Sequence, residues 1–312
     1  CKQGIRNAYK ESCYSVAQSD AIKHYLLGNN LIAEGEKAEE RVQCLSRLIL
    51  QRPDMITWFL AGNNLDKDTI KPVAEALVLS KSKYIWLKMN PIKTGAFYVG
   101  KLISNNANIE LIDLFNTGLC TDGLHRFLQG LQQGNQIKLK HLYLSINDLG
   151  MESVGDMAKI LNLLPALESL YIGSNNWGDV GLKAFSEQIK GLINLQRLIV
   201  GSSDLSDASL DTLKNVVDHC PKLVSLDVGS YRSSNYFSNK HNVFLDKDKM
   251  LTLGDSILKN AVRLKTPKQQ YFGYQNTFDT PDADDLVQSL FRKGLNVNGV
   301  HYKTKKNRAL MQ

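Results

Sequence analysis

Leu139-Lys140-His141-Leu142-Tyr143-Leu144-Ser145-Ile146-Asn147-Asp148-Leu149 and, 28 residues on, Leu167-Glu168-Ser169-Leu170-Tyr171-Ile172-Gly173-Ser174-Asn175-Asn176-Trp177 fit one line, LxxLxLxxNxL. Nine segments of the chain fit it. Their asparagine positions are Asn29, Asn63, Asn90, Thr117, Asn147, Asn175, Ser203, Tyr231 and Asn276, spaced 34, 27, 27, 30, 28, 28, 28 and 45 apart. A fixed period of this size means a solenoid, in which each unit buries its apolar face only against its neighbours.

Three residues before the asparagine stand Leu26, Leu60, Leu87, Leu114, Leu144, Ile172, Val200 and Val228, with Gly273 breaking the last copy. Two residues beyond it stand Leu31, Leu65, Ile92, Leu119, Leu149, Trp177, Leu205 and Phe278. Apolar residues two apart before the asparagine are strand periodicity. A helical face follows each strand, as in Leu182, Phe185, Ile189 and Leu192, or Leu210, Leu213, Val217 and Cys220. Strands joined by helical crossovers run parallel. The asparagine column has its own chemistry. Backbone groups at the bend out of the strand lose their ladder partners, and an amide that both donates and accepts bridges successive turns.

This pattern resembles the leucine-rich repeat family, and its period and helices resemble the ribonuclease-inhibitor-like subtype. The resemblance implies an α/β horseshoe of about nine repeats, with a concave parallel sheet inside and helices outside. It predicts an N-terminal cap over 1–20, the solenoid over 21–293 with an inserted loop at 231–249, and a cap strand and basic tail over 294–312. The fold does not name a function.

The outward-facing columns carry the functional expectation. Four residues before the asparagine stand Tyr25, Phe59, Trp86, Asp113, Tyr143, Tyr171, Ile199, Asp227 and Phe272; two before stand Leu27, Ala61, Lys88, Phe115, Ser145, Gly173, Gly201, Gly229 and Tyr274. The first column is two-thirds aromatic in a chain that is 8% aromatic, so chance is a poor explanation. Contiguous exposed aromatic surface marks contact sites, and Trp and Tyr anchor interfaces. The expectation is therefore a non-catalytic protein-binding module. Its contacts would be Tyr25, Phe59, Trp86, Asp113, Phe115, Tyr143, Tyr171, Asp227, Phe272 and Tyr274. The competing reading is rings stacked for stability alone. The polar insert carries Tyr231, Tyr236, Phe237 and Phe244, too aromatic for simple disorder, and is expected to lean over the sheet edge.

Composition bounds the rest. Net charge is +7, but six Lys/Arg and no Asp/Glu lie in 286–312, leaving the first 285 residues at +1. Nucleic-acid or acidic-lipid contact is expected only through the tail cluster Lys303, Lys305, Lys306 and Arg308. No run of about 18 apolar residues suggests a membrane span. The chain begins at Cys1, which points to a processed or truncated start, and no charged-then-apolar leader opens it. Five cysteines (Cys1, Cys13, Cys44, Cys120 and Cys220) form no CxxC pair, so no zinc site and no cofactor are expected. Read as free thiols, they fit an intracellular, reducing setting. Cys120 with His125 is the remote candidate for a nucleophile–base pair. No phosphate loop, HExxH or GxSxG occurs. Single-chain repeats with a basic tail resemble leucine-rich-repeat effectors that intracellular bacteria deliver into host cells. An immune-receptor repeat fragment, or a GTPase regulator acting through Arg197, is the alternative.

Overall fold

The computed structural model describes residues 24–230, 241–265, 270–274, 286, 289–290 and 292–298. The chain divides into two compact units, Cys1–Leu167 and Glu168–Gln312. In the first, strands β1 (His24–Leu26), β2 (Thr57–Phe59), β3 (Tyr84–Trp86), β4 (Leu111–Asp113) and β5 (His141–Tyr143) alternate with helices α1 (Ala38–Gln51), α2 (Ile70–Val78), α3 (Ala96–Asn105), α4 (Cys120–Leu131) and α5 (Val154–Asn162). In the second, β6 (Ser169–Tyr171), β7 (Arg197–Ile199), β8 (Ser225–Asp227), β9 (Tyr271–Gly273) and β10 (Val297–Asn298) accompany α6 (Gly178–Lys190), α7 (Leu210–His219) and α8 (Lys247–Arg263). Within each unit neighbouring strands pair in parallel and in chain order. Among the described residues strand, bend, helix and return loop recur in each unit, the fold class of a leucine-rich repeat solenoid.

One side of each strand from β2 to β9 is sealed. Trp58, Ile85, Ile112 and Leu142 pair in register in the first unit, Leu170, Leu198, Leu226 and Phe272 in the second, and all are at most 1% exposed. Helix positions such as Met157, Phe185, Leu213 and Val217 seal the core from the other side. Cys220 belongs to that wall, and burial pushes its thiol up to about 12.

The bend after each strand depends on the asparagine amides. Asn90 Oδ1 accepts the N–H groups of Asn63 and Leu65, while its Nδ2 donates to the carbonyls of Leu60 and Leu87. Asn147 repeats the arrangement, accepting from Thr117 and Leu119 and donating to Leu114 and Leu144. The Thr117 hydroxyl stands within donating distance of the Leu114 carbonyl in its own turn and of Asn147 Oδ1 in the next repeat. Ser203 is too short to reach back, and the buried indole N–H of Trp177 donates instead to the Ile172 carbonyl (2.9 Å). Just before the amide the backbone is left-handed in repeat after repeat: Asn29, Gly62, Met89, Asn116, Ile146, Ser174 and Ser202 have φ between 51° and 64°.

That signature corrects the register at three places. In the first repeat Asn29 is the left-handed residue and Asn30 the ladder residue; its N–H donates to Asn63 Oδ1. Leu27 and Ile32 are accordingly buried, and Leu26 and Leu31 are 60% and 51% exposed. In the eighth repeat the ladder residue is Asn242, not Tyr231. Asn242 accepts from Ser203 and Leu205 and donates to Val200 and Val228, and Phe244 two residues on is fully buried. Residues 231–241 are thus inserted between the strand and its own ladder amide. Beyond them, Asp207 accepts the N–H groups of Leu245 and Asp246, and Asp246 caps α8 through the Lys249 N–H. In the ninth repeat Gly273, not Phe272, pairs with Asp227. A shift of one residue flips every side chain to the opposite face. Phe272 and Tyr274 are therefore fully buried core residues, not contact residues, and burial pushes the Tyr274 hydroxyl's pKa up. Tyr25 pairs with Trp58 in the backbone register, and its side chain lies outside the described residues. Asn276, the N-terminal cap at 1–20, residues 231–240 and the basic tail lie outside the described residues; of the expected closing strand, Val297–Asn298 is formed.

Removing a buried amide that satisfies four backbone groups costs far more than trimming its exposed neighbour. Asn242→Ala should lower unfolding free energy by roughly 3 kcal/mol in urea titration. Val243→Ala, at an exposed position, should stay within about 0.5 kcal/mol.

Candidate functional site

Strands place every second side chain on the face opposite the helices. In the first unit the corrected outward column runs Leu26, Phe59, Trp86, Asp113, Tyr143, each paired in register with the next. Phe59, Trp86 and Tyr143 are half-buried. Phe59 and Trp86 lie with ring centroids 6.1 Å apart and tilted; Trp86 and Tyr143 lie 6.1 Å apart and edge-on. The second pair spans two strand intervals. The rings lean toward one another across β4, where the intervening residue is the short Asp113. Phe115, two residues further along β4's exit, is also half-buried.

Asp113 is consequently 3% exposed. Its Oδ1 accepts the Phe115 N–H at 2.9 Å. Burial pushes its carboxyl up to about 6; the Phe115 N–H and then the Lys88 ammonium oppose that rise. Lys88 projects from the column beside the rings, and its Nζ stands 5.5 Å from the Phe59 centroid and 5.9 Å from that of Trp86. An ammonium over two ring faces is a cation–π arrangement. The sequence pattern located the rings but gave Lys88 no role, because a column says which side chains share a face, not where a flexible stem comes to rest.

The second unit's outward column runs Tyr171, Ile199, Asp227 and Gly273. Tyr171 and Ile199 are half-buried. Asp227 is buried and accepts the Gly229 N–H at 2.8 Å, the same local bond that Asp113 makes. A Cβ on Gly273 would stand 2.8 Å from Asp227 Cγ and 2.7 Å from the Tyr271 hydroxyl, so the absence of a side chain there makes room for both groups. A Cβ at Gly173 would meet the Gly201 carbonyl at 2.7 Å; this glycine permits close strands rather than a cavity.

Other candidates separate. His125 is engaged by Asp156 (2.8 Å) and Gln129 (3.0 Å), and burial pushes the Cys120 thiol up, so these two do not form a nucleophile–base pair. Arg197 is exposed at the start of β7. Cys44 is disulfide-bonded while Cys120 and Cys220 are free, which removes the premise of five free thiols behind a reducing setting. Among the described residues, no group of three or more His, Cys, Asp or Glu could hold a metal ion, and no helix is long and apolar enough to cross a membrane.

No protein-family model and no curated protein matches the chain. Among solved structures it is similar to the internalin InlF of Listeria monocytogenes, at 14% identity and TM-score 0.43 over 96% of this chain and 90% of that one. TLR13, solved with the single-stranded RNA ssRNA13, aligns at 16% identity and TM-score 0.31 over 65% of this chain and 33% of that one. A chain in the octameric complex of Latrophilin 3, Unc5D and FLRT2 aligns at 13% and 0.30, covering 72% of each. With TM-scores this low, the fold assignment stands on the repeat geometry of the chain itself.

The buried carboxyl makes the site pH-sensitive. An unfolded Asp titrates near 3.8 and Asp113 at about 6, so the native state holds this proton more tightly. Its contribution to stability is therefore most favourable below the lower value and is lost as pH rises between them. Asp113→Asn retains an acceptor for the Phe115 N–H and removes that slope. In urea titrations from pH 4 to 7 the variant should gain on the wild type by roughly 2–3 kcal/mol across the range. A difference that does not vary with pH would contradict the burial.

Proposed function

We propose that the chain is a non-catalytic protein-binding module whose principal contact surface is the first unit's helix-free sheet face, formed by Phe59, Trp86, Phe115 and Tyr143. The observation that carries this reading is a run of half-buried rings, Phe59 and Trp86 in register on neighbouring strands and Tyr143 two strands on, continued by Leu26 at 60% exposure. Rings packed only for stability would be expected to disappear into the core, as Trp58 and Trp177 do. These instead keep part of their surface open.

The face is also stiff. Each strand is held by its neighbours and by buried amides at its exit, so presenting the rings to a partner requires little ordering of backbone, and less binding energy is lost to entropy. Asp113 is bonded to a main-chain N–H and flanked by aromatic groups. That favours a recognition floor over an acid–base pair. Spacings of 27 to 30 through the middle repeats, each with a helical segment, support the ribonuclease-inhibitor-like subtype. Tyr171 and Asp227 offer a secondary contact on the second unit's own sheet face.

Replacing two central rings tests the surface while leaving the buried wall intact. Trp86→Ala/Tyr143→Ala should reduce partner recovery from a cell lysate by about tenfold or more, as expected when interface anchors are truncated. The melting transition of the variant, recorded alongside, verifies that it is folded. Equal recovery of the same partners by folded wild type and folded variant contradicts the assignment.

A further inference from the structure

Lys88 occupies the aromatic face with the chain's own cation. Its stem rises from the column next to Phe59 and Trp86, and its Nζ lies within 6 Å of both centroids. Asp113, buried and in register between Trp86 and Tyr143, supplies a carboxyl to the same column. The ring faces present negative potential and the floor an acid, so the local field favours a positive group from every side except that of Lys88 itself. A lysine ammonium is strongly hydrated and sits on a flexible stem, so it leaves for solvent at small cost. A guanidinium is planar, less hydrated and stacks on aromatic faces, so it is the better occupant of the same place.

We infer that the face recognises an arginine side chain of a partner protein, which displaces Lys88 from Phe59 and Trp86 and is held over Asp113. This rests on the proposed use of the stripe as a contact surface and adds the chemistry of its anchor. Lys88 is then a built-in competitor. In the free protein it shields the rings and offsets the Asp113 charge; in the complex it turns outward. The consequence separates this reading from recognition of an acidic partner. Deleting the lysine charge strengthens binding of a cation and weakens binding of an anion.

The measurement is a titration of the intact chain, labelled with 15N at tryptophan, with acetylated and amidated hexapeptides of arginine, lysine, glutamate or leucine. The chain has three tryptophans, and the indole N–H groups of Trp58 and Trp177 are buried and donate to Ser82 Oγ and the Ile172 carbonyl. The Trp86 indole signal, assigned by its loss in Trp86→Phe, therefore reports the stripe. The arginine peptide should shift it, and more strongly than the lysine peptide. Lys88→Gln should bind the arginine peptide about fivefold more tightly and Asp113→Asn about fivefold more weakly, the scale of one cation–π or one shielded charge contact. Weaker arginine binding by Lys88→Gln overturns the inference, as does a Trp86 shift caused by the glutamate peptide but not by the arginine peptide. A shift with leucine alone sinks the cation and leaves the contact surface standing. No shift with any peptide also sinks the cation, and the fate of the surface then rests on the Trp86→Ala/Tyr143→Ala comparison.

Discussion

A parallel strand that must leave its sheet after three residues exposes main-chain groups to a dry interior, and the fold depends on how those groups are satisfied. The asparagine side chain solves it with one planar amide. Asn90, Asn147 and Asn242 each accept two N–H groups from the preceding repeat and donate to two carbonyls, one at the strand exit of the preceding repeat and one at that of its own. Because the bonds tie neighbours together, they set the phase of each strand relative to the last. Phase in turn decides which side chains face the core and which face water. The outward position of Phe59, Trp86 and Tyr143 is a consequence of the amides buried behind them. Where an amide is missing the chain compensates locally, as the Trp177 indole does opposite Ser203.

The middle repeats were legible because alternation, ladder residue and helix offsets all agreed from Asn63 to Ser203. The ends were not, for a physical reason that can be named. Asn29-Asn30 offers two amides one residue apart, and Tyr271-Phe272-Gly273-Tyr274 offers aromatic alternation in either phase. Apolar pattern alone does not choose between such solutions. The left-handed residue ahead of each amide does, but backbone conformation is weakly written in composition: Met89 and Ile146 occupy it as well as Gly62. The eighth repeat was hidden differently. Its strand and its ladder amide are separated by an insert, so a fixed-length motif stops at Tyr231 and misses Asn242-Val243-Phe244 eleven residues on. The aromatic column was legible in the sequence, but Phe272 and Tyr274, read as part of it, lie in the core. Lys88 was seen but not understood, since its role lies in where its ammonium settles.

The site and the scaffold make opposite demands on charge. A carboxyl among rings is costly to ionise, which is why Asp113 titrates at about 6 rather than in the usual carboxylate range. Its bond to the Phe115 N–H and the neighbouring Lys88 moderate that cost without removing it. The second unit's column also keeps a buried carboxyl, Asp227, beside the uncharged Ile199, but there no aromatic pair flanks it as Trp86 and Tyr143 flank Asp113 among the described residues. The retained cost, the partly open rings and the resident ammonium are the three features on which the proposed exchange of one cation for another rests.

The most direct measurement of the account is native-state hydrogen exchange at the amides that donate to the asparagine oxygens: Asn63, Leu65, Thr117, Leu119, Ser203 and Leu205. These lie in bends, outside the strands and helices, yet the account predicts protection comparable to that of strand amides such as Leu142 and Leu198, because each ends on a buried amide oxygen. Exchange at the rate of open loops would show that the amide ladder does not hold the bends, and would remove the basis for the phase of every strand.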